Sequence, residues 1–250
     1  MSRPRFEPGP PIGYAHRGFS LDGVENSLAA FQAAVQLGYR HLETDSRVTA
    51  DGVAVAFHDQ LLDRVTNHTG LLRELSWQQV SQARIRDREP IPLLEDVLAS
   101  FGDSVVNIDV KSHAAIGPTL DAIRRTGSWH RVRLAAFSHS RVLALRRATG
   151  PSVASALSPV EIAALKLGKR PQPSPVTDLA AQVPAGHGTL RLITPRFVSS
   201  AHAAGFAVHA WTINQRAEMI RLLDLGVDAI MTDRADVLRA LLIERGQWPS

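Results

Sequence analysis

The chain has 250 residues, 44% of them hydrophobic and 21% charged, a balance that suits a globular fold with a sizeable core and excludes a disordered or low-complexity chain. Its 28 basic and 24 acidic residues leave a net charge of +4, without the dense basic and aromatic clusters of a nucleic-acid-binding surface. Cysteine is absent, which rules out disulfides and thiolate metal sites and fits a reducing compartment.

The first eleven residues are polar and proline-rich, with no apolar signal region, and no apolar run approaches the ~18 residues of a membrane span. The expectation is a cytoplasmic protein with no transmembrane segment and no nucleic-acid partner. Onward from there, short apolar runs alternate with amphipathic segments, the pattern of βα repeats. The first strand, 12–15, ends at His16-Arg17-Gly18. Residues 27–37 read as a helix with Leu28, Phe31, Ala34 and Val35 on one face, stopped by Gly38. The second strand, 40–45, carries Glu43 and Asp45. Further strands are expected at 105–110, 132–137, 153–157, 179–183, 208–212 and 229–232. Helices at 118–125, 140–148, 159–167, 195–204, 215–225 and 235–244 separate most of them, and 169–176 is a proline-rich loop.

Counting 53–57 as a barrel strand gives nine, one too many for a closed (β/α)8 barrel. Asp51-Gly52 is a two-residue hairpin signal, which makes 46–57 an excursion that leaves the barrel and returns. With that loop, Ala50 faces Val53 and Asp45 faces His58, which brings His58 beside Asp45 at the carboxyl end of strand two. Residues 59–90 then form an insertion before the second helix at 93–101. The count becomes eight, a TIM-type α/β barrel over the whole chain.

Nearly all the chemically useful side chains fall at carboxyl ends of strands, where barrel enzymes place their chemistry. Glu43 and Asp45, two apart on a strand, point to one face, and two anions so close need a cation or a proton between them. Asp109 on the next strand offers a third oxygen, a set that favours Mg²⁺ or Ca²⁺ over zinc. A solvated acidic face gives the same pattern. His16 can act as an acid or base, Arg17 presents a fork that matches phosphate oxygens, and Gly18 permits close backbone approach. His58-Asp59 offers a second histidine. Lys111 lies two residues beyond Asp109 on the same side, placed to neutralise phosphate charge or to pair with barrel carboxylates. Trp211 offers an apolar wall to the alcohol part of a substrate, or simple packing.

Taken in order, His16-Arg17-Gly18, Glu25-Asn26-Ser27, Glu43-Thr44-Asp45, Thr49-Ala50-Asp51-Gly52, Phe57-His58-Asp59 and Arg64-Val65-Thr66 form a series. It continues through Gly70, Pro92-Leu93-Leu94-Glu95, Asn107-Ile108-Asp109-Val110-Lys111, Trp211-Thr212-Ile213-Asn214 and the stretch from Gly226 to Asp233. The series resembles the glycerophosphodiester phosphodiesterase family over roughly residues 12–240. The resemblance implies a barrel with an insertion after strand two. It implies that His16 and His58 are the acid–base pair, that Arg17 and Lys111 hold the phosphate, and that Glu43, Asp45 and Asp109 bind a divalent metal. Glu25 and Asn26 would shape the loop after strand one and touch the substrate site. Three positions depart from the family pattern: Val24 stands for the usual proline of Pro-Glu-Asn-Thr, Asp109 for the usual glutamate, and Arg234 follows Thr232-Asp233 without the usual proline.

The expected reaction is metal-dependent hydrolysis of a small phosphodiester to glycerol 3-phosphate and an alcohol. A second reading is a phospholipase acting on lysolipids or phosphoinositides, with Leu61, Leu62, Leu71, Leu72 and Trp77 of the insertion either as an apolar lid or as its core. A third is a binding module without catalysis, whose sign would be a missing histidine or carboxylate; none is missing.

Overall fold

The computed structural model describes residues 9–169, 171, 174–187 and 190–248. Parts of the N-terminal segment and of the proline-rich stretch 169–176 therefore lie outside the described residues. Eight strands form the barrel wall: β1 (Ile12–His16), β2 (His41–Val48), β3 (Val105–Val110), β4 (Val132–Ala135), β5 (Ala154–Ala156), β6 (Leu179–Pro184), β7 (Ala207–Trp211) and β8 (Ala229–Thr232). Their helices are α1 (Leu28–Gln36), α2 (Leu94–Ser100), α3 (Ile116–Arg125), α4 (His139–Thr149), α5 (Pro159–Lys166), α6 (Pro195–Ala203), α7 (Arg216–Asp224) and α8 (Ala235–Glu244). The sheet order is β1-β8-β7-β6-β5-β4-β3-β2, β1 also pairs β2, and Ala54–Ala56 is appended to β2. This is a (β/α)8 barrel. By contacts the chain forms two compact units, Ala15–Ala136 and the remainder. No helix among the described residues is long and apolar enough to cross a membrane.

Within Ala15–Ala136, β2 pairs β3 in parallel from His41↔Val105 to Ser46↔Val110, which sets Asp45 opposite Asp109. The Ser27 side chain caps α1 by accepting from the Ala30 amide, and Ala30, Phe31 and Ala34 are buried beneath the helix. Fully burying Phe31 contributes roughly 2–3 kcal/mol. Gly18 (φ +83°) lies so close to this helix that a Cβ there would sit 2.6 Å from the Ala30 carbonyl carbon.

The excursion from β2 differs from the expectation. Its return strand, Ala54–Ala56, is antiparallel to β2 with Ser46↔Ala56, Arg47↔Val55 and Val48↔Ala54 in register. The loop therefore holds three residues, Ala50, Asp51 and Gly52, closed by the Thr49 amide donating to the Val53 carbonyl at 3.1 Å. Gly52 takes the left-handed conformation (φ +83°) that a three-residue hairpin needs at its last position. Asp45 consequently meets Phe57, whose amide donates to the Asp45 carbonyl at 3.1 Å, and not His58. The insertion beyond it has a core of its own, with Leu62, Val65, Leu72, Val80, Ala83, Ile85 and Ile91 packed around Val55 and Phe57. Leu62 and Leu72 are thus core, while Leu61 is 46% exposed.

In the other unit, β6 pairs β7 from Ala207↔Ala180 to Trp211↔Pro184 and β7 pairs β8. Its main core gathers Leu179, Phe197, Val208, Leu222 and Leu238 among others. A buried ion pair, Arg146 Nη1 to Glu161 Oε1 at 2.7 Å, ties α4 to the start of α5. There Ser158 and Glu161 form a capping box behind Pro159.

Candidate active site

The loop after β1 turns in two left-handed steps, at Arg17 (φ +57°) and Asn26 (φ +60°). Such a conformation costs a non-glycine residue roughly 1–2 kcal/mol, and local bonds offset it. The Arg17 amide donates to the Glu43 carbonyl at 2.9 Å, and the Asn26 amide to the Arg17 carbonyl at 2.9 Å. Asn26 Nδ2 donates to Asp45 Oδ2 at 2.9 Å, and Thr44 Oγ1 donates to Asn26 Oδ1 at 2.8 Å. Asn26 is thereby a buried peg that joins the β1 loop to β2.

Around this peg the predicted residues of the unit come together. His16 Nε2 lies 3.7 Å from Glu43 Oε2. Arg17 Nη1 pairs Glu25 Oε1 at 2.8 Å, and Arg17 Nε lies 3.1 Å from Asp45 Oδ2 without the alignment of a hydrogen bond. Lys111 Nζ sits between Asp45 Oδ1 at 2.7 Å and Asp109 Oδ2 at 2.6 Å. His58 Nδ1 pairs Asp59 Oδ1 at 2.5 Å. Arg64 closes the ring, donating to both Asp59 oxygens and to Glu25 Oε1 at 2.7 Å and Oε2 at 3.1 Å.

Sequence reasoning assigned no role to Asp59, Arg64 or Arg47, whose Nε donates to the His58 carbonyl at 2.6 Å. The adjacency of Asp59 to His58 was the available signal; Arg64 and Arg47 depend on how the insertion and hairpin fold. Trp211 belongs to the other unit, where its ring meets Phe137 edge-on with centroids 5.2 Å apart and packs on the Tyr14, Ala229 and Met231 cluster. Asp233, also there, accepts from Asn214 Nδ2 at 2.7 Å, a structural bond.

Electrostatics follow burial and pairing. Burial raises the Glu43 carboxyl to about 7, with Asp45 adding to the rise and His16, Arg17 and Lys111 opposing it. Burial also pushes Asp45 up, but Lys111, Arg17 and His58 prevail and hold it below the usual carboxylate range. Burial lowers His58 despite the neighbouring Asp45 and Asp59 carboxylates, which favours a neutral imidazole near neutral pH. Asp59, against the effect of its burial, is brought down to about 2 by Arg64 and His58. Burial pulls Lys111 down, yet Asp45 and Asp109 outweigh it and hold its pKa up.

Comparison with known proteins gives the family. The model of the glycerophosphoryl diester phosphodiesterase family matches residues 16–237. The chain belongs to that family. It is accordingly an enzyme, a phosphoric diester hydrolase. A probable glycerophosphodiester phosphodiesterase 2 of Mycobacterium tuberculosis is 42% identical over 96% of this chain and 94% of its own length. A human lysophospholipase D is 26% identical over 91% of this chain and 85% of its own. Among solved structures, an Oleispira antarctica phosphodiesterase in complex with the product sn-glycerol-3-phosphate superposes with a TM-score of 0.77 at 23% identity, covering 93% of this chain and 97% of that one. At that identity the superposition speaks for the fold.

Proposed function

We propose that this enzyme hydrolyses glycerophosphodiesters to glycerol 3-phosphate and an alcohol, with His16 and His58 as the proton-transfer pair and a divalent metal as cofactor. The observation that carries the reading is the ring of ion pairs within one unit. It sets two histidines, Arg17 and Lys111 around the ends of β1, β2 and β3.

Linked by ion pairs are five carboxylates, Glu25, Glu43, Asp45, Asp59 and Asp109, against three permanent cations, Arg17, Arg64 and Lys111. That leaves two negative charges before histidine protonation, and Glu43 is pushed up to about 7 by burial. An oxygen-only, electron-rich set of this kind fits a hard Mg²⁺ or Ca²⁺ ion. No three acidic or histidine side chains among the described residues already stand as a ligand cluster; Lys111 is the counter-cation between two of them. Glu43, Asp45 and Asp109 would hold the ion. When bound, it would supply positive charge to the anionic phosphate.

The chain's own residues then divide the work. Arg17 offers a fork to two phosphate oxygens, and Lys111 a point charge to a third. Asp59 accepts from His58 Nδ1, which presents Nε2 as the reacting nitrogen. One histidine takes the proton of the attacking water or glycerol hydroxyl, and the other delivers a proton to the departing alcohol oxygen. The product bound to the Oleispira antarctica relative supports glycerol 3-phosphate as a product here.

A lysophospholipase reading draws on the human relative and on exposed Leu21 and Leu61. The burial of Leu62 and Leu72 takes two leucines out of any apolar rim. The test is glycerol 3-phosphate release from glycerophosphocholine and glycerophosphoinositol, coupled to a dehydrogenase, with Mg²⁺, Ca²⁺ or chelator, beside His16→Ala and His58→Ala. Metal-dependent release that both substitutions abolish is expected. Folded enzyme that releases product only from lysolipid micelles would transfer the assignment to the second reading.

A further inference from the structure

A second feature of the same unit borders this site. A cavity of about 250 Å³ opens at the carboxyl ends of β2 and β3, lined by Arg47, Gln60, Arg73, Lys111 and Ser112, with apolar Leu72 at its wall. Lys111 is shared: its ammonium holds the site aspartates while its side chain lines the cavity. The cavity is therefore contiguous with the place where the phosphate is proposed to bind.

Its chemistry is one-sided. Every ionisable residue of the lining is a cation, and none of the lining residues is acidic or aromatic. A concave surface lined by one sign of charge concentrates its field on a ligand of the other sign. Arginine forks match carboxylates and phosphates, whereas a quaternary ammonium is held by aromatic faces that this lining lacks. Arg73 is 72% exposed and pairs with Glu74 at 3.5 Å; an ion pair so solvated is weak and leaves the guanidinium able to turn to a ligand. Arg47 is fixed, with its Nε on the His58 carbonyl, so it joins the cavity to the histidine. The glycerol arm of a glycerophosphodiester carries hydroxyls and no charge. A cationic chamber discriminates only through the other arm, the departing alcohol.

We infer that this cavity is the leaving-group subsite and that it selects alcohols bearing an anionic group of their own. The inference rests on the phosphodiesterase reading above and adds the substrate class.

The test compares glycerophosphoinositol 4-phosphate with glycerophosphoinositol, which differ only in the extra phosphate, and with glycerophosphocholine. The enzyme is the full chain, and the variants are Arg73→Glu and Arg73→Gln. The expected kcat/KM favours glycerophosphoinositol 4-phosphate over glycerophosphoinositol by about two- to fivefold, the effect of one partly exposed charge pair. The preference should vanish in Arg73→Gln, reverse in Arg73→Glu, and shrink with added salt. Two results overturn the inference: no preference in the wild type, or equal losses on both substrates in Arg73→Glu, which would mean that the charge serves the phosphate common to both. Titration calorimetry with the same two inositol compounds and the catalytically dead His58→Ala variant separates the two layers. Tighter binding of the 4-phosphate without turnover of any substrate by wild type would sink the phosphodiesterase reading and keep an anion site. Turnover with equal binding would do the reverse.

Discussion

Asp59→Asn tests the least expected part of the site. The carboxylate only accepts, so its bond to His58 Nδ1 sets the hydrogen on that nitrogen and leaves Nε2 for the reaction. An asparagine can turn its amide to donate, which favours the opposite tautomer. A hydrogen bond to a charged group is worth about 1.5–3 kcal/mol. The two side chains are 34% and 21% exposed, so solvent screening points to the lower end, about 1.5 kcal/mol, or roughly tenfold in kcat. The loss should fall on kcat with KM nearly unchanged, because Asp59 holds a histidine and not the substrate. Glycerol 3-phosphate release by wild type, Asp59→Asn and Asp59→Glu measures it, the glutamate keeping an acceptor for the histidine and recovering part of the lost kcat. A loss that falls on KM, or an undiminished kcat in Asp59→Asn, would refute the orienting role.

Gly18→Ala should destabilise the enzyme by about 2 kcal/mol or more, since φ is +83° and the new Cβ meets Ala30 at 2.6 Å; urea unfolding measures it. Asn26→Ala removes the bond to Asp45 Oδ2 and leaves Thr44 Oγ1 without its acceptor, and should cost about 1–3 kcal/mol together with most of the activity. In the other unit, Arg146→Ala strands the buried Glu161 carboxylate and should cost about 3–5 kcal/mol. The Asp59 carboxyl stands at about 2 against an ordinary 3.8. Its contribution is therefore present above pH 3.8 and lost as pH falls through about 2. After screening it is on the order of 1 kcal/mol. Between pH 5 and pH 2.5 the wild type should lose more unfolding free energy than Asp59→Asn.

The fold was legible where pattern is local. The runs at 105–110 and 229–232 coincide with β3 and β8 in full, because short, mainly apolar and β-branched runs bounded by turn formers leave little choice. Helix ends moved by one or two residues where capping decided them, as at Ser27, while the start at Pro159, behind the Ser158 cap, stands where the sequence puts it. The excursion after β2 was legible as a hairpin but not in register, because Asp-Gly serves both two- and three-residue loops and the backbone of Asp51, which is not left-handed here, tells them apart. In the site, the histidines and acids could be read from their positions at strand ends. The Arg64 bridge from Asp59 to Glu25 could not, since it joins residues 39 apart through an insertion whose folding no short motif encodes.

The close contact of Gly18 with Ala30 carries one more consequence. The loop after β1 is seated on α1 before any substrate arrives, so its geometry and that helix stand or fall together. Catalysis then becomes a thermometer for this part of the chain. On heating, loss of turnover should coincide with melting of α1, with no temperature range in which an intact fold holds an idle enzyme.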